Sequence, residues 1–193
     1  MKKQYLFIFL FVLFTACSKD VLDRTVFIPD ENDHNLPAYT EWGYNTFGAE
    51  YERDYFLVSN MITPCKIVYK DTLLQFSLSG TYQGYKDMTL TFIFPVEKMC
   101  DYWDLMQLHK KNIELSAKDC TVKILRDNVE SELNILEGEL YFKRTQLLSV
   151  DDVMNRVILS GTFYLQFVEN DIPSFITNGR FDLGITKNLY YKY

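Results

Sequence analysis

From Trp42 onward, apolar and polar residues alternate with a period of two. This is the signature of strands that bury one face and wet the other. Leu74, Phe76 and Leu78 share one parity, with Gln75 and Ser77 between them. Leu90, Phe92 and Phe94 alternate with Thr89 and Thr91, and Cys120, Val122 and Ile124 with Thr121 and Lys123. Val129, Leu133 and Ile135 alternate with Glu130, Glu132 and Asn134. Val157, Leu159, Gly161, Phe163, Leu165 and Phe167 oppose Ser160, Thr162, Tyr164 and Gln166, and Phe181, Leu183 and Ile185 oppose Arg180 and Asp182. Further stretches at 46–51, 55–59, 65–70 and 140–148 bring the expectation to about ten strands. Turns are predicted at Gln83-Gly84, Arg126-Asp127-Asn128, Glu137-Gly138 and Asn178-Gly179.

One helix is predicted after Asp101, a capping residue followed three positions on by Asp104. Trp103, Leu105, Met106 and Leu108 give it an apolar face, and His109, Lys110 and Lys111 place positive charge at its end. Strands this closely spaced argue against βαβ units. The expected fold is all-β and mainly antiparallel: a β-sandwich with one short helix, a β-barrel being the second choice. Leu78-Ser79-Gly80-Thr81-Tyr82 is echoed by Leu159-Ser160-Gly161-Thr162-Phe163, which reads as one strand solution used twice.

The N-terminus follows a different pattern. Met1-Lys2-Lys3 precedes an apolar run from Tyr5 to Ala16, within signal-peptide range and well short of the ~20 residues that span a bilayer. The run ends in Phe14-Thr15-Ala16-Cys17, which resembles the lipobox of bacterial lipoproteins, with Phe14 where Leu is usual. That resemblance implies cleavage before Cys17 and acylation of its thiol and freed amine, anchoring the chain to a membrane. Ser18-Lys19-Asp20 resembles the export signal of surface lipoproteins in Bacteroidota, which favours the cell surface of the outer membrane over a periplasmic face. Residues 1–16 are thus expected as signal peptide, 17–40 as lipidated N-terminus and flexible tether, and 41–193 as a single β domain. A tether of that length has an end-to-end distance of about 25 Å. Its Glu31-Asn32-Asp33-His34 cluster reads as linker, since four adjacent side chains converge poorly on one ion.

Two further segments, Trp42-Gly43-Tyr44-Asn45-Thr46-Phe47-Gly48-Ala49 and Ile176-Thr177-Asn178-Gly179-Arg180-Phe181-Asp182, resemble patterns near the start and end of uncharacterised Bacteroidota lipoprotein families. The Leu159–Phe163 strand and the helix occur in similar order there. The resemblance implies a mostly β lipoprotein domain and transfers no site.

The 193 residues are 48% hydrophobic and 16% aromatic, too apolar for a disordered chain. With 20 Lys+Arg against 26 Asp+Glu there is no basic excess for nucleic acid, and loss of Lys2 and Lys3 with the leader deepens the deficit. No phosphate loop, dinucleotide fingerprint or nucleophile elbow is present, so no cofactor is expected. Beyond Cys17, Cys65, Cys100 and Cys120 lack zinc-type spacing, and buried unpaired thiols are favoured over a disulfide. His34 and His109 are the only histidines, which leaves Cys–His or Ser–His chemistry without a base at hand. Asp151-Asp152, Asp101/Asp104 and Glu130/Glu132 are the visible carboxylate pairs, read first as a turn, a helix start and a solvated strand. Calcium at Asp127-Asn128 or Asp151-Asp152 lacks the EF-hand pattern.

Of the 14 tyrosines, Tyr82, Tyr85, Tyr190, Tyr191 and Tyr193 depart from the inward parity; Tyr82 and Tyr85 are the candidate ligand-binding residues. The expected function is a lipid-anchored envelope binding or accessory lipoprotein, its partners being the membrane through Cys17 and a glycan or an envelope protein. Two alternatives stay open: a glycan-active hydrolase using two carboxylates, and a lipocalin-like carrier of an apolar ligand.

Overall fold

The protein is described by a computed structural model covering residues 24–60, 63–150, 153–169 and 171–193. The expected signal peptide, Cys17 and the Asp151-Asp152 pair lie outside the described residues. Twelve strands form one sheet: β1 (Thr46–Tyr51), β2 (Asp54–Val58), β3 (Cys65–Lys70), β4 (Leu73–Tyr82), β5 (Lys86–Pro95), β6 (Lys111–Glu114), β7 (Thr121–Arg126), β8 (Val129–Glu132), β9 (Asn134–Val150), β10 (Val153–Glu169), β11 (Ile172–Ile185) and β12 (Tyr190–Lys192). Their order is β6-β9-β10-β11-β1-β2-β4-β5-β7-β8. One edge of β4 is shared, β2 pairing with Gly80–Tyr82 and β3 with Leu73–Leu78. All pairings are antiparallel except that of β12 with β3.

The sheet doubles over at β1–β2–β4, so that its two halves face each other as the layers of a sandwich. Rings from opposite layers meet in the core: Phe76 lies 5.5 Å from Phe142 and 5.2 Å from Phe181, and Phe92 lies 5.5 Å from Phe163. Phe47, Phe56, Phe94 and Phe167 are also fully buried. Inward parity at Leu74, Phe76, Leu78, Leu90, Val122 and Leu159 is as the alternation predicts. The second-choice barrel is not formed: the sheet is open, ending at β6 and β8. Its interior is filled by phenylalanine, so the space an apolar-ligand carrier needs is occupied by the core.

The predicted helix is present at Tyr102–Leu108, capped reciprocally by Asp101 and Asp104, but it is a 3₁₀ helix. Its buried residues Tyr102, Leu105 and Leu108 are spaced by three, matching three residues per turn. The expected cationic end is not built: His109 leaves the helix in extended conformation, Lys110 has φ 58°, and Lys111 opens β6. His109 Nδ1 instead accepts the backbone N–H of Thr145.

Two predicted turns are found. Asp127 and Asn128, both at positive φ, join β7 to β8, and Gln83 and Gly84 turn β4 into β5. Glu137-Gly138 and Asn178-Gly179 are not turns. Both lie inside long strands, β9 and β11, where the register shifts. Strands of 17, 17 and 14 residues must coil to wrap a core, and bulges let them do so. The predicted strand from Val129 to Ile135 is likewise divided at Leu133, whose N–H reaches Val122 O and whose side chain is buried.

The echoed segments share one geometry. A Cβ on Gly80 would collide with Leu57 O and the Phe47 ring; one on Gly161 would collide with Tyr141 O and the Phe181 ring. Phe47 and Phe181 are themselves cross-strand partners, so the paired rings rest on the two glycines.

Residues 24–40, expected as the outer part of a flexible tether, lie as a strap over β2, β1 and β11, with Asp33 at Tyr55, Pro37 against Gly48 and Thr40 on Asp182. Val26 N–H donates to Tyr44 O, and the strap turns back on itself through Asp30 N–H to Leu36 O and Ala38 N–H to Ile28 O. Leu36 is fully buried, and Arg180 Nη1 holds Asp30 Oδ2 at 2.7 Å.

Candidate functional site

The strap is fastened by a carboxylate. Asp182, read from sequence only as an outward polar position, is 1% exposed. It accepts the backbone N–H groups of Trp42 (3.0 Å), Gly43 (2.7 Å) and Tyr44 (3.3 Å), and the hydroxyls of Thr40 (2.5 Å) and Ser160 (3.0 Å). Successive N–H groups converge this way only where the chain bends sharply, which Gly43 permits at φ 74°. Asn45 Oδ1 adds a bond from Gly184 N–H at 2.9 Å. The two segments singled out in the sequence are therefore one structural unit, a clasp with Trp42–Tyr44 as its socket and Asp182 as its pin.

The clasp mounts an aromatic. Trp42 is held at its backbone, yet the residue is 69% exposed. Beside it, a depression of about 350 Å³ is lined by Tyr39, Glu41, Arg144 and Gln146. Glu41 receives the Tyr39 hydroxyl at 2.9 Å and Arg144 at 3.0 Å, while the Gln146 amide donates to Glu41 O at 2.7 Å. Lys143 Nζ sits 4.4 Å over the Tyr39 ring. Burial, and then the hydrogen bond to Glu41, raise the Tyr39 hydroxyl well above the usual phenol range. On the other side of Tyr39 a second depression of about 450 Å³ is bounded by Tyr164, Glu139, Asn178 and Arg180. Sequence reasoning missed this lateral groove because Tyr39 belonged to the expected tether; an exposed Trp beside a Gly bend was its one visible signal.

Tyr82 and Tyr85 lie at the opposite end of β1. Tyr51, which closes β1, stacks on Tyr82 at 5.0 Å and donates its hydroxyl to Glu169 at 2.7 Å. Arg126 pairs with Glu169 and donates to the Tyr51 hydroxyl at 2.9 Å, bracing the two layers. Tyr82 is committed to this brace: its hydroxyl reaches Asp54, and burial followed by that carboxylate raises its pKa. Tyr85 is not. It is 74% exposed, with Lys86 Nζ 5.7 Å from its ring centroid. It borders a cleft of about 460 Å³ with Lys86, Asp87, Leu125 and Asn128. A second cleft of about 300 Å³, lined by Tyr82, Arg126 and Val129, shares Lys86 and Asp127 with the first. The two tyrosines thus border neighbouring clefts, Tyr85 the first as an exposed ring and Tyr82 the second as part of the brace.

The other candidates have structural occupations. Asp101 and Asp104 form the capping box, where the N–H groups of Cys100 and Asp101 hold the Asp104 carboxyl below its usual range. Glu130 and Glu132 are exposed on β8, Glu130 pairing with Lys123 at 2.8 Å. Asp127-Asn128 is the β7–β8 turn, and Asp30 and Asp33 cap local turns of the strap. Cys65, Cys100 and Cys120 are free thiols, respectively buried, exposed and half-buried; burial pushes the Cys65 thiol far up. Tyr190, Tyr191 and Tyr193 sit on or after β12, Tyr191 beneath Lys66 at 4.9 Å. Among the described residues, no cluster of three or more His, Cys, Asp or Glu could hold a metal ion, and no helix is long and apolar enough to cross a membrane.

No protein-family model matches this chain, and neither a curated protein nor a solved structure is found to match it.

Proposed function

We propose that this protein is a lipid-anchored binding module of the bacterial cell envelope, attached through Cys17 and displayed at the outer-membrane surface, with carbohydrate as its ligand. The leader and the Phe14–Cys17 segment supply the anchor. One observation carries the binding role: the Tyr85 cleft and the arrival of the N-terminal strap lie at opposite ends of β1. The strap joins the domain at Tyr44, two residues before β1, while Tyr82 stacks on Tyr51 at its last residue. Six residues of strand put roughly 17 Å between them. An anchor on the strap side leaves the cleft facing away from the membrane. A flat exposed ring flanked by Lys86, Asp87 and Asn128 offers a stacking surface beside donors and acceptors, as a sugar ring requires.

The test is a glycan-array and affinity-electrophoresis screen of the full chain. Saturable binding to at least one glycan that Tyr85→Ala abolishes is the expected result; a clean negative across host and plant glycans overturns the carbohydrate reading in favour of an envelope protein. The anchor is checked by metabolic labelling with an alkynyl fatty acid. Label should appear on the protein and vanish in Cys17→Ala, and protease added to intact cells should degrade the domain.

A further inference from the structure

We infer that the lateral groove beside Trp42 is a second binding site, built for an extended oligosaccharide lying along the outer face of β9 and β10. The inference shares the carbohydrate class proposed above but depends neither on the Tyr85 cleft nor on the lipid at Cys17.

Three observations converge on it. The first is rigidity: Trp42 is anchored through its N–H to the buried Asp182, and the flanking Thr40, Gly43 and Tyr44 bind the same carboxylate. A backbone so fixed removes the main-chain part of the ordering cost when the exposed ring meets a ligand.

The second is chemistry. A pyranose has an apolar C–H face and a rim of hydroxyls that each donate and accept. The lining sets rings beside polar groups: Trp42 and Tyr39 with Glu41 and Arg144 in one depression, Tyr39 and Tyr164 with Asn178 and Arg180 in the other, the Tyr39 ring itself lying under Lys143. Carboxylate, guanidinium and amide together match hydroxyls in both senses, and Glu41 and Glu139 are balanced by Arg144 and Arg180, so the lining has no charge excess that selects an ionic ligand.

The third is extent. Gln146, at one end, pairs with Ile158, and Glu139, at the other, pairs with Tyr164. Six residues of β10 separate these positions, roughly 20 Å. The two depressions flank Tyr39, so a ligand that fills both must pass over that residue. That span suits a chain of several sugars and exceeds what a single ring would fill.

The two tryptophans make the site self-reporting. Trp42 is exposed, while Trp103 packs on Tyr102 at 3.8 Å and against the core. Acrylamide quenching of the full chain, in a detergent without a sugar headgroup, therefore reads Trp42. The probes are cellohexaose, maltohexaose, mannohexaose and hexagalacturonate. At least one neutral hexaose should shield Trp42. Its calorimetric Kd should weaken at least about tenfold in both Trp42→Ala and Arg144→Ala, side chains exposed enough to be removed without unfolding the domain. If no hexaose shields Trp42, or if Arg144→Ala binds as tightly as the parent, the groove is not an oligosaccharide site. Hexagalacturonate binding better than every neutral hexaose overturns the chemistry argued above. Array binding lost only in Tyr85→Ala would leave the distal cleft standing and this site refuted.

Discussion

The two layers of the sandwich have outer faces written in the same alternating code and used in opposite ways. On β4 and β5 the outward positions hold Ser77, Ser79, Thr89 and Thr91, half-exposed and paired across the strands at 3.0 and 2.9 Å. On β10 and β11 the equivalent parity holds Ser160 and Asp182, 0% and 1% exposed beneath the strap. A hydroxyl in contact with water needs no particular partner. A carboxylate under a strap needs every partner it has, because an unpaired charge in that position costs far more than its bonds return. Alternation therefore tells which way a side chain points and not whether water waits there. Polar residues facing a second layer of chain become its fastening.

Asp182→Ala should produce the largest effect, a loss of more than about 3 kcal/mol, since three N–H groups and two hydroxyls are orphaned together. Urea denaturation followed by tryptophan fluorescence would measure it. Asp182→Asn sharpens the point: it keeps the shape but removes the charge, and should recover only a minor part of the loss. A near-neutral Asp182→Ala would mean that the strap is decoration.

The echoed glycines come next. Gly80→Ala and Gly161→Ala both drive a methyl into a neighbouring carbonyl oxygen and a core ring, at a cost of roughly 1–3 kcal/mol or more each. Equal losses would show that the two layers use the motif equivalently. Gly84→Ala, in open space but at φ 76°, should cost about 1 kcal/mol for the backbone conformation alone.

A pH effect separates strap from sheet. The N–H of Asn32 first, then that of Asp33 and the Arg180 guanidinium, hold the Asp30 carboxyl below its ordinary value. A depressed folded-state pKa contributes stability above the unfolded value of about 3.9, and that contribution is lost as pH falls through the lower folded value. Hydrogen exchange at residues 28–38 should therefore quicken in Asp30→Asn at neutral pH and converge with the parent in acid, while β4 and β5 stay protected in both. Smallest of all, Ser77→Ala and Thr91→Val should move stability by less than about 0.5 kcal/mol, since the exposed ladder is replaceable by water.

The strands, their inward residues and the capped 3₁₀ segment were legible because each is a local pattern: Leu74-x-Phe76-x-Leu78 needs nothing distant to be read. The Asp127-Asn128 turn was legible for the same reason. Glu137-Gly138 and Asn178-Gly179 misled because turn residues and bulge residues share the same backbone tolerance, and only the length of β9 and β11 tells them apart. The strap was hidden by composition: Asp30, Asn32, Asp33 and Asn35 look like linker, and Leu36 with Pro37 carries the burial. Tyr82 and Tyr85 could be selected by parity, but the brace that commits Tyr82 joins Tyr51, Arg126 and Glu169 from three strands, a juxtaposition that spacing along the chain does not encode.

The clasp also sets the order of assembly. Its two halves, Gly43 and Asp182, are 139 residues apart, and β1 has no neighbour on one side until β11 exists. Closing so long a loop is entropically slow, and it cannot begin before nearly the whole chain is present. A chain emerging from its N-terminus stays unable to lock until β11 has followed, and of the strands only β12 comes after it.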